Sequence, residues 1–246
     1  MGREPSAVSH ILLDPTARPV IGHRGSSGAH PENTVLAFDR ALAEGADALE
    51  FDVRASVDGV PMVIHDPTVD RTTNGRGEVG AMAAAALEAL DAREGDRIPR
   101  LEAVLERYSE TPLLIEIKER RAAGPALAAL QRCGAQRRVL IGSFVRGALA
   151  PFRRAGIPTA PSRGGVALAL LSSRLGLAAP GPDAAFAVPE RRKAIRVVDH
   201  RFVRAAARAG KPVHVWTVNA IDDARRLRSM GVCGIITDFP SRMRNL

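Results

Sequence analysis

The sequence has 246 residues, which is long for one β-sandwich and typical of one (β/α)8 barrel. Its net charge of +8 suits an enzyme for anionic substrates or a nucleic-acid binder, but the basic residues are dispersed and form no stripe interleaved with aromatics, so we expect no nucleic-acid partner. The two cysteines, Cys133 and Cys233, form no C-x-x-C pair, which excludes a disulfide scaffold and a thiolate metal site.

The N-terminal segment, residues 1–19, lacks the apolar stretch of a secretory signal. We therefore expect a cytoplasmic protein. No apolar run is long enough to cross a bilayer, so no transmembrane segment is predicted. The sequence does not indicate an oligomeric state.

Short apolar runs alternate with helical patterns along the chain. We predict strands at Val20–His23, Ala48–Val53, Leu113–Ile117, Val139–Ser143, Ile157–Ala160, Ala184–Val188, Val213–Thr217 and Gly234–Thr237. Helices are predicted at Thr34–Glu44, Leu101–Tyr108, Pro125–Cys133, Ala148–Ala155, Gly165–Leu177, Asp199–Ala209 and Ala220–Met230. This alternation is typical of a parallel sheet, and such units closing on themselves form a (β/α)8 TIM barrel of the α/β class.

One segment, residues 54–100, interrupts the alternation after the second strand. Asp58-Gly59 lies between apolar residues, which predicts a hairpin, and the following run is rich in Thr, Asn and Gly. We interpret the segment as a small insertion in a single catalytic domain that spans residues 1–246. It leaves the carboxyl end of strand two, where the active site of such a barrel lies.

The apolar stretch Val166–Ala179 has two interpretations. We expect a helix that faces the core, and a helix that lies on a membrane surface is the alternative.

Acidic residues occur on two successive strands. Glu50 and Asp52 are two residues apart, so their side chains point to one face of their strand, and Glu116 and Lys118 repeat this spacing on the next barrel strand. Neighbouring carboxylates repel each other unless a cation lies between them or one is protonated. Three carboxylates at one level predict an oxygen-rich site for one divalent cation, Mg²⁺ or Ca²⁺.

Two histidines follow apolar runs that lead to the same face. His23 ends the first strand and His65 ends "MVIH" in the insertion. On either side of a metal, two imidazoles can serve as general acid and general base. Arg24 and Lys118 would then bind the anion, and Gly25 would allow close approach of the backbone.

Three further features have structural interpretations. "PENT", residues 31–34, is expected to cap the first helix. Trp216, the only tryptophan, ends the seventh strand and either forms a substrate-binding wall of the pocket or packs in the core. Asp238 is expected to fix the loop after strand eight rather than take part in chemistry.

The order of motifs along the chain resembles the glycerophosphodiester phosphodiesterase family. The matching segments are "HRGSSGAHPENT", "GADALEFDV", "DGVPMVIHDPTVDRTTNGRG", "IPRLEAVL", "LLIEIKE", "HVWTVN" and "GVCGIITDFP". The chain departs from the family pattern at Val145 and Cys233, and residues 160–190 match it poorly.

The resemblance implies a TIM barrel with an insertion after strand two and a divalent cation at Glu50, Asp52 and Glu116. It implies His23 and His65 as the acid–base pair, with Arg24 and Lys118 near the phosphate. The implied reaction is hydrolysis of a small-molecule glycerophosphodiester to sn-glycerol 3-phosphate and an alcohol. A lipid phosphodiesterase of the lysophospholipase D type, using the same site, is the alternative.

Overall fold

The structure, a computed structural model, describes residues 10–246. Its strands are β1 Val20–His23, β2 Ala48–Ala55, β3 Pro61–Val63, β4 Leu113–Ile117, β5 Val139–Gly142, β6 Phe186–Pro189, β7 Arg191–Arg192, β8 Ile195–Arg196, β9 Val213–Trp216 and β10 Gly234–Thr237. Its α-helices are α1 Val35–Ala43, α2 Ala84–Ala89, α3 Leu101–Arg107, α4 Arg120–Arg132, α5 Ala150–Arg154, α6 Arg163–Arg174, α7 His200–Arg208 and α8 Ile221–Ser229. Residues 1–9, on which the expectation of no secretory signal partly rests, lie outside the described part.

Seven of these strands pair in parallel, in the order β5-β4-β2-β1-β10-β9-β6. Helices connect them and cover the outside of the sheet, while Ile21, Leu114, Leu140 and Ile236 fill its interior. The predicted TIM barrel is confirmed. In its register His23 pairs with Glu50, and Asp52 pairs with Glu116, so the polar ends of β1, β2 and β4 are neighbours.

The predicted strand at Ile157–Ala160 was too long. Only Thr159 pairs there: it forms a parallel bridge with Ile141, and its carbonyl accepts a hydrogen bond from Ala184. Ala160 donates to the Ile141 carbonyl, whereas Pro158 and Pro161 on either side of Thr159-Ala160 have no N–H to donate, so the pairing is limited to this bridge. The position of the fifth barrel strand is thus occupied by a single bridge that links β5 to the chain entering β6.

The helix boundaries follow the capping signals. The Thr34 hydroxyl accepts from the N–H of Ala37 at 3.2 Å and caps α1, as predicted for part of "PENT". Helix α4 begins at Arg120, earlier than predicted, and contains Pro125. Proline removes only one backbone donor there, and burial of the helix face against the sheet stabilises the first turn.

The insertion folds as an excursion beside the mouth of the barrel. Strand β3 runs antiparallel to β2 after a turn at Gly59, which has a φ of +79°, so the predicted hairpin is confirmed. Helix α2 follows and packs its own small apolar cluster, in which Met62, Val79 and Leu87 are buried. The assignment of the whole chain to one domain stays a prediction.

Helix α6 faces the core with one side only, where Ala169 is buried and Val166 and Leu170 pack against the cluster. Leu168, Leu171 and Leu175 are exposed, whereas Ser172 and Ser173 are buried. No helix within residues 10–246 is both long and apolar enough to cross a membrane. The cytoplasmic location stays a prediction.

Candidate active site

The carboxyl ends of the strands surround a cavity at the mouth of the barrel. His23, Arg24, Glu50, His65, Glu116, Lys118 and Trp216 all line it. Asp52 is buried directly behind them, in contact with Arg24 and Lys118. The structure therefore brings all eight residues of the predicted site together, although they come from five separate segments.

Three carboxylates cluster on one side of the cavity, with Asp52 behind Glu50 and Glu116. One oxygen from each of Glu50, Asp52 and Glu116 lies within 4.8 Å of the others. Glu50 and Asp52 are buried, and burial, together with the charge of Asp52, raises the pKa of Glu50 to about 8. The backbone N–H of Arg24 donates to Glu50 Oε2 at 3.1 Å, but within residues 10–246 no Lys or Arg side-chain nitrogen lies within 4.0 Å of the Glu50 carboxylate.

The donor set fits a hard divalent cation. Its atoms are oxygens, and their separations allow each to lie about 2.0–2.6 Å from one shared ion. The environment of Glu50 is the strongest sign of fit, because burial and the neighbouring Asp52 both disfavour its ionised form and a bound cation would favour it.

Two permanent cations face the same carboxylates. Lys118 Nζ lies 3.3 Å from Asp52 and 3.0 Å from Glu116. Arg24 Nε lies 3.1 Å from Asp52 Oδ2, but its N–H is not aligned for a hydrogen bond, so the contact is an ion pair. Although burial opposes ionisation, Lys118 and Arg24 lower the pKa of Asp52 below its ordinary value.

His23 is held by a carboxylate on the far side of its ring. Its Nδ1 lies 2.6 Å from Asp238 Oδ1, while Nε2 faces Glu50 at 3.9 Å. Burial disfavours the charged imidazole, but Glu50 and Asp238 outweigh it and raise the pKa of His23. Asp238, which also accepts hydrogen bonds from Asn219 and Ser27, has its pKa lowered to about 2 against the effect of burial.

His65 is held in the same way. Its Nδ1 lies 2.6 Å from Asp66 Oδ1, and Arg71 donates to the other oxygen of Asp66 at 2.6 Å. The Arg71 hydrogen bond is the main cause that lowers the pKa of Asp66. A carboxylate next to Nδ1 fixes the Nδ1–H tautomer, so the unprotonated nitrogen of a neutral ring is Nε2.

The loop after β1 positions Arg24. Arg24 has a φ of +54°, in the left-handed region, and its Nη1 donates to Glu32 at 2.9 Å. Asn33, with a φ of +60°, donates to Asp52 at 3.1 Å. Gly25 lies close to α1, where a Cβ would be 2.5 Å from the Ala37 carbonyl carbon. Its predicted close approach to the anion stays a prediction.

Trp216 and Phe144 form the apolar wall opposite the carboxylates. Their ring centroids are 6.0 Å apart, and both line the catalytic cavity. Both also line a second, largely apolar groove that runs outward between α6 and the β7–β8 hairpin. Of the two interpretations of Trp216, the structure favours the wall of the pocket.

Sequence reasoning missed the residues that hold the site in place. Asp238 was assigned to loop structure, and Glu32 and Asn33 to helix capping, but each contacts a predicted site residue. Asp66 was not singled out, although it follows His65 directly. Phe144 follows β5, and its position at a strand end was the one available signal.

The comparisons with known proteins agree with this geometry. The model of the glycerophosphoryl diester phosphodiesterase family matches residues 23–242. A glycerophosphodiester phosphodiesterase of Caldanaerobacter subterraneus is 35% identical over 92% of this chain and 96% of its own length. The chain belongs to the glycerophosphoryl diester phosphodiesterase family.

Solved structures of glycerophosphodiester phosphodiesterases share the fold. That of the Agrobacterium tumefaciens enzyme superposes with a TM-score of 0.76 at 28% identity, covering 93% of this chain and all of its own. A phosphodiesterase of Oleispira antarctica, solved with the product sn-glycerol-3-phosphate, gives a TM-score of 0.77 at 27% identity, covering 93% and 96% of the two chains. The chain is thus an enzyme of the family that hydrolyses glycerophosphodiesters.

Proposed function

We propose that this member of the glycerophosphoryl diester phosphodiesterase family releases sn-glycerol 3-phosphate and an alcohol, using a divalent cation and two histidines. The observation that carries the proposal is that two imidazoles, each held at Nδ1 by a carboxylate, line one cavity with the carboxylate cluster, Arg24 and Lys118. The product bound to the Oleispira antarctica relative supports the choice of product.

Arg24 and Lys118 bind the phosphate in this proposal. Nη1 and Nε of Arg24 face Glu32 and Asp52, whereas Nη2 makes no hydrogen bond within residues 10–246 and is available to a phosphate oxygen. Lys118 adds a point charge at the same edge of the cavity. Together they orient the phosphorus between the two imidazoles and lower the cost of bringing a charged diester out of water.

Glu50, Asp52 and Glu116 hold the divalent cation, Mg²⁺ or Ca²⁺. When bound, such an ion polarises a phosphoryl oxygen and lowers the pKa of a hydroxyl group or water beside it. Asn33 and Lys118 keep Asp52 in place from behind. Glu50 must lose its proton for the site to fill, so binding near neutral pH releases a proton.

His23 and His65 transfer the protons. One accepts a proton at Nε2 from the nucleophile, and the other donates a proton from Nε2 to the leaving alkoxide oxygen. The nucleophile is either water or the 2-hydroxyl of the substrate's own glycerol, and intramolecular attack gains from proximity. Attack by the hydroxyl expels the alcohol and forms a cyclic phosphate, which water then opens to glycerol 3-phosphate. Asp238 and Asp66 stabilise the imidazolium that forms at each ring.

The test measures release of glycerol 3-phosphate from glycerophosphocholine, with and without a chelator. His23→Ala and His65→Ala should each lower kcat by on the order of 10²–10⁴-fold, and chelation should abolish turnover. His200→Ala, at an exposed position on α7, is the matched control and should leave kcat unchanged. Near-wild-type turnover in both active-site variants would refute the acid–base assignment.

The metal site is tested separately by titration calorimetry with Mg²⁺ and Ca²⁺. Glu50→Gln and Asp52→Asn should each remove binding, because each deletes one of three ligands. Unchanged affinity in both variants would show that the ion binds elsewhere.

A second candidate substrate is a phosphodiester with a lipid tail. The apolar groove shares Phe144 and Trp216 with the catalytic cavity, so a chain attached to the leaving group has a path along it. We expect this activity to show as a higher kcat/KM for lysophosphatidylcholine than for glycerophosphocholine. Equal or lower values would favour the small soluble substrates.

A further inference from the structure

Helix α6 presents its apolar stripe to solvent. Leu168, Leu171 and Leu175 recur at helical spacing and are 51%, 58% and 66% exposed. The opposite face buries Ser172 and Ser173. The inward face also buries Ala169 in the core and packs Val166 and Leu170 against it, so the three leucines form an additional apolar stripe. An exposed apolar stripe of this kind is typical of a binding surface.

The β7–β8 hairpin beside it is strongly cationic. Arg191, Arg192, Lys193 and Arg196 are all exposed, as is Ile195 at 62%. Arg191 lies directly opposite Arg196 in the ladder, and like charges in that position destabilise a hairpin. None of the four cations forms an ion pair with a carboxylate in residues 10–246, so their charges are balanced only by solvent there.

The two elements frame one continuous surface. The groove between them is about 460 Å³ in volume and is lined by Val166 and Leu170 of α6 and by Ile195 of the hairpin. Its inner end is formed by Phe144 and Trp216, which also line the catalytic cavity. Helix α6 thus carries the exposed leucines on one side and, on another, forms a wall of a groove that reaches the catalytic cavity.

We propose that α6 and the β7–β8 hairpin dock on an anionic lipid bilayer and hold the mouth of the catalytic cavity at the membrane surface. Exposed leucines that can enter the acyl boundary, next to cations that pair with anionic headgroups, are the two elements of interfacial binding. A second copy of this chain fits less well, because a symmetric interface through this face would bring two unpaired cationic hairpins together.

The test is sedimentation of the whole protein with vesicles of phosphatidylcholine alone or mixed with phosphatidylglycerol. We expect binding to the mixed vesicles, weakened by salt. Replacing Arg191, Arg192, Lys193 and Arg196 by Gln should reduce the partition coefficient by several hundred-fold, since each cation contributes roughly five-fold near such a surface. Leu171→Ser with Ile195→Ser should reduce it by roughly ten-fold or more.

Matched variants separate this surface from the general charge of the protein. The control for the hairpin variant removes the same charge from four exposed arginines outside the groove. It replaces with Gln the residues Arg40, Arg76, Arg137 and Arg225. Val57→Ser, at a residue 58% exposed in the insertion, matches the apolar change. Both controls should bind nearly as wild type does, and all variants should keep the wild-type melting temperature.

Three results would overturn the proposal: no binding of the wild-type protein to mixed vesicles, equal loss in the hairpin and control variants, or a dimer in sedimentation velocity that Leu171→Ser disperses. None of these measurements uses turnover, so failure of the membrane proposal is distinguishable from failure of the proposed reaction.

Discussion

Replacing Asp238 with Asn should disable His23 without changing the size of any side chain. In the structure one carboxylate oxygen lies 2.6 Å from His23 Nδ1 and the other accepts from Asn219 Nδ2 at 2.7 Å. Asn219 cannot rotate to adapt, because its own Oδ1 accepts from the backbone N–H of Asp238 and contacts the Thr237 hydroxyl. The side-chain amide of the variant has one acceptor oxygen for two donors, His23 Nδ1–H and Asn219 Nδ2–H.

Both orientations of the new amide are unfavourable. If its oxygen faces Asn219, its NH2 faces His23 and forces the imidazole into the tautomer with the proton on Nε2. If its NH2 faces Asn219, two donors oppose each other, at a cost of about 1–3 kcal/mol. We expect the first orientation and a fall in kcat on the order of 10²–10⁴-fold, the range that general acid–base catalysis contributes.

The pH profile separates loss of positioning from general damage. Glu50 and Asp238 both raise the pKa of His23 against burial, so removing the Asp238 charge should shift the His23 limb of the kcat/KM profile to lower pH. The assay is glycerol 3-phosphate release across pH, with Asp222→Asn, on the exposed face of α8, as the control. An Asp238→Asn enzyme with wild-type kcat and an unshifted limb would refute the reasoning.

Two further predictions concern stability. Gly25→Ala should lower the free energy of unfolding by about 3 kcal/mol in urea titrations, because its φ is +85° and a Cβ would lie 2.5 Å from the Ala37 backbone. The control is Gly134→Ala, where φ is +62° and no atom lies within 4 Å of the added Cβ. It should lower the free energy of unfolding by only about 1 kcal/mol. In chelator, stability should fall as pH rises from about 4.5 to about 8, because folded Glu50 keeps a proton that the unfolded chain has lost. Glu50→Gln should flatten that slope in thermal melts, and an equally steep slope in the variant would contradict the assignment.

The residues on strands could be predicted because a parallel barrel converts spacing into position. Side chains two residues apart on a strand point to the same face of the sheet, and the carboxyl ends of successive strands lie at the same edge of the barrel. Glu50, Asp52 and Glu116 therefore meet for reasons visible in the sequence, and the observed register pairs Asp52 with Glu116 directly.

The residues in loops could not be predicted in the same way. The direction of Arg24 and Asn33 depends on left-handed backbone angles, which no periodic pattern encodes. Asp238 is separated from His23 by most of the chain, and only closure of the barrel between β10 and β1 makes them neighbours.

Helix α6 was assigned to the core because leucine is usually buried. That rule holds for folded chains in water, and the stripe of Leu168, Leu171 and Leu175 breaks it. A hydrophobic pattern identifies which face of a helix is apolar but not what that face contacts. The sequence therefore predicted the core contact made by Ala169 and Leu170 but not the exposure of the leucine stripe.

The site owes its preorganisation to carboxylates placed behind each working group. Asp238 holds Nδ1 of His23, Asp66 holds Nδ1 of His65, and Glu32 holds Nη1 of Arg24. In each case the carboxylate occupies the edge away from the cavity and leaves Nε2 or Nη2 for the substrate. Arg71 then joins Glu32 to Asp66 through hydrogen bonds of 2.6–2.7 Å, so Arg24, the proposed phosphate ligand, and His65 share a single support. Because that support spans the β1 loop and the insertion, the insertion fixes the geometry of the site as well as supplying His65.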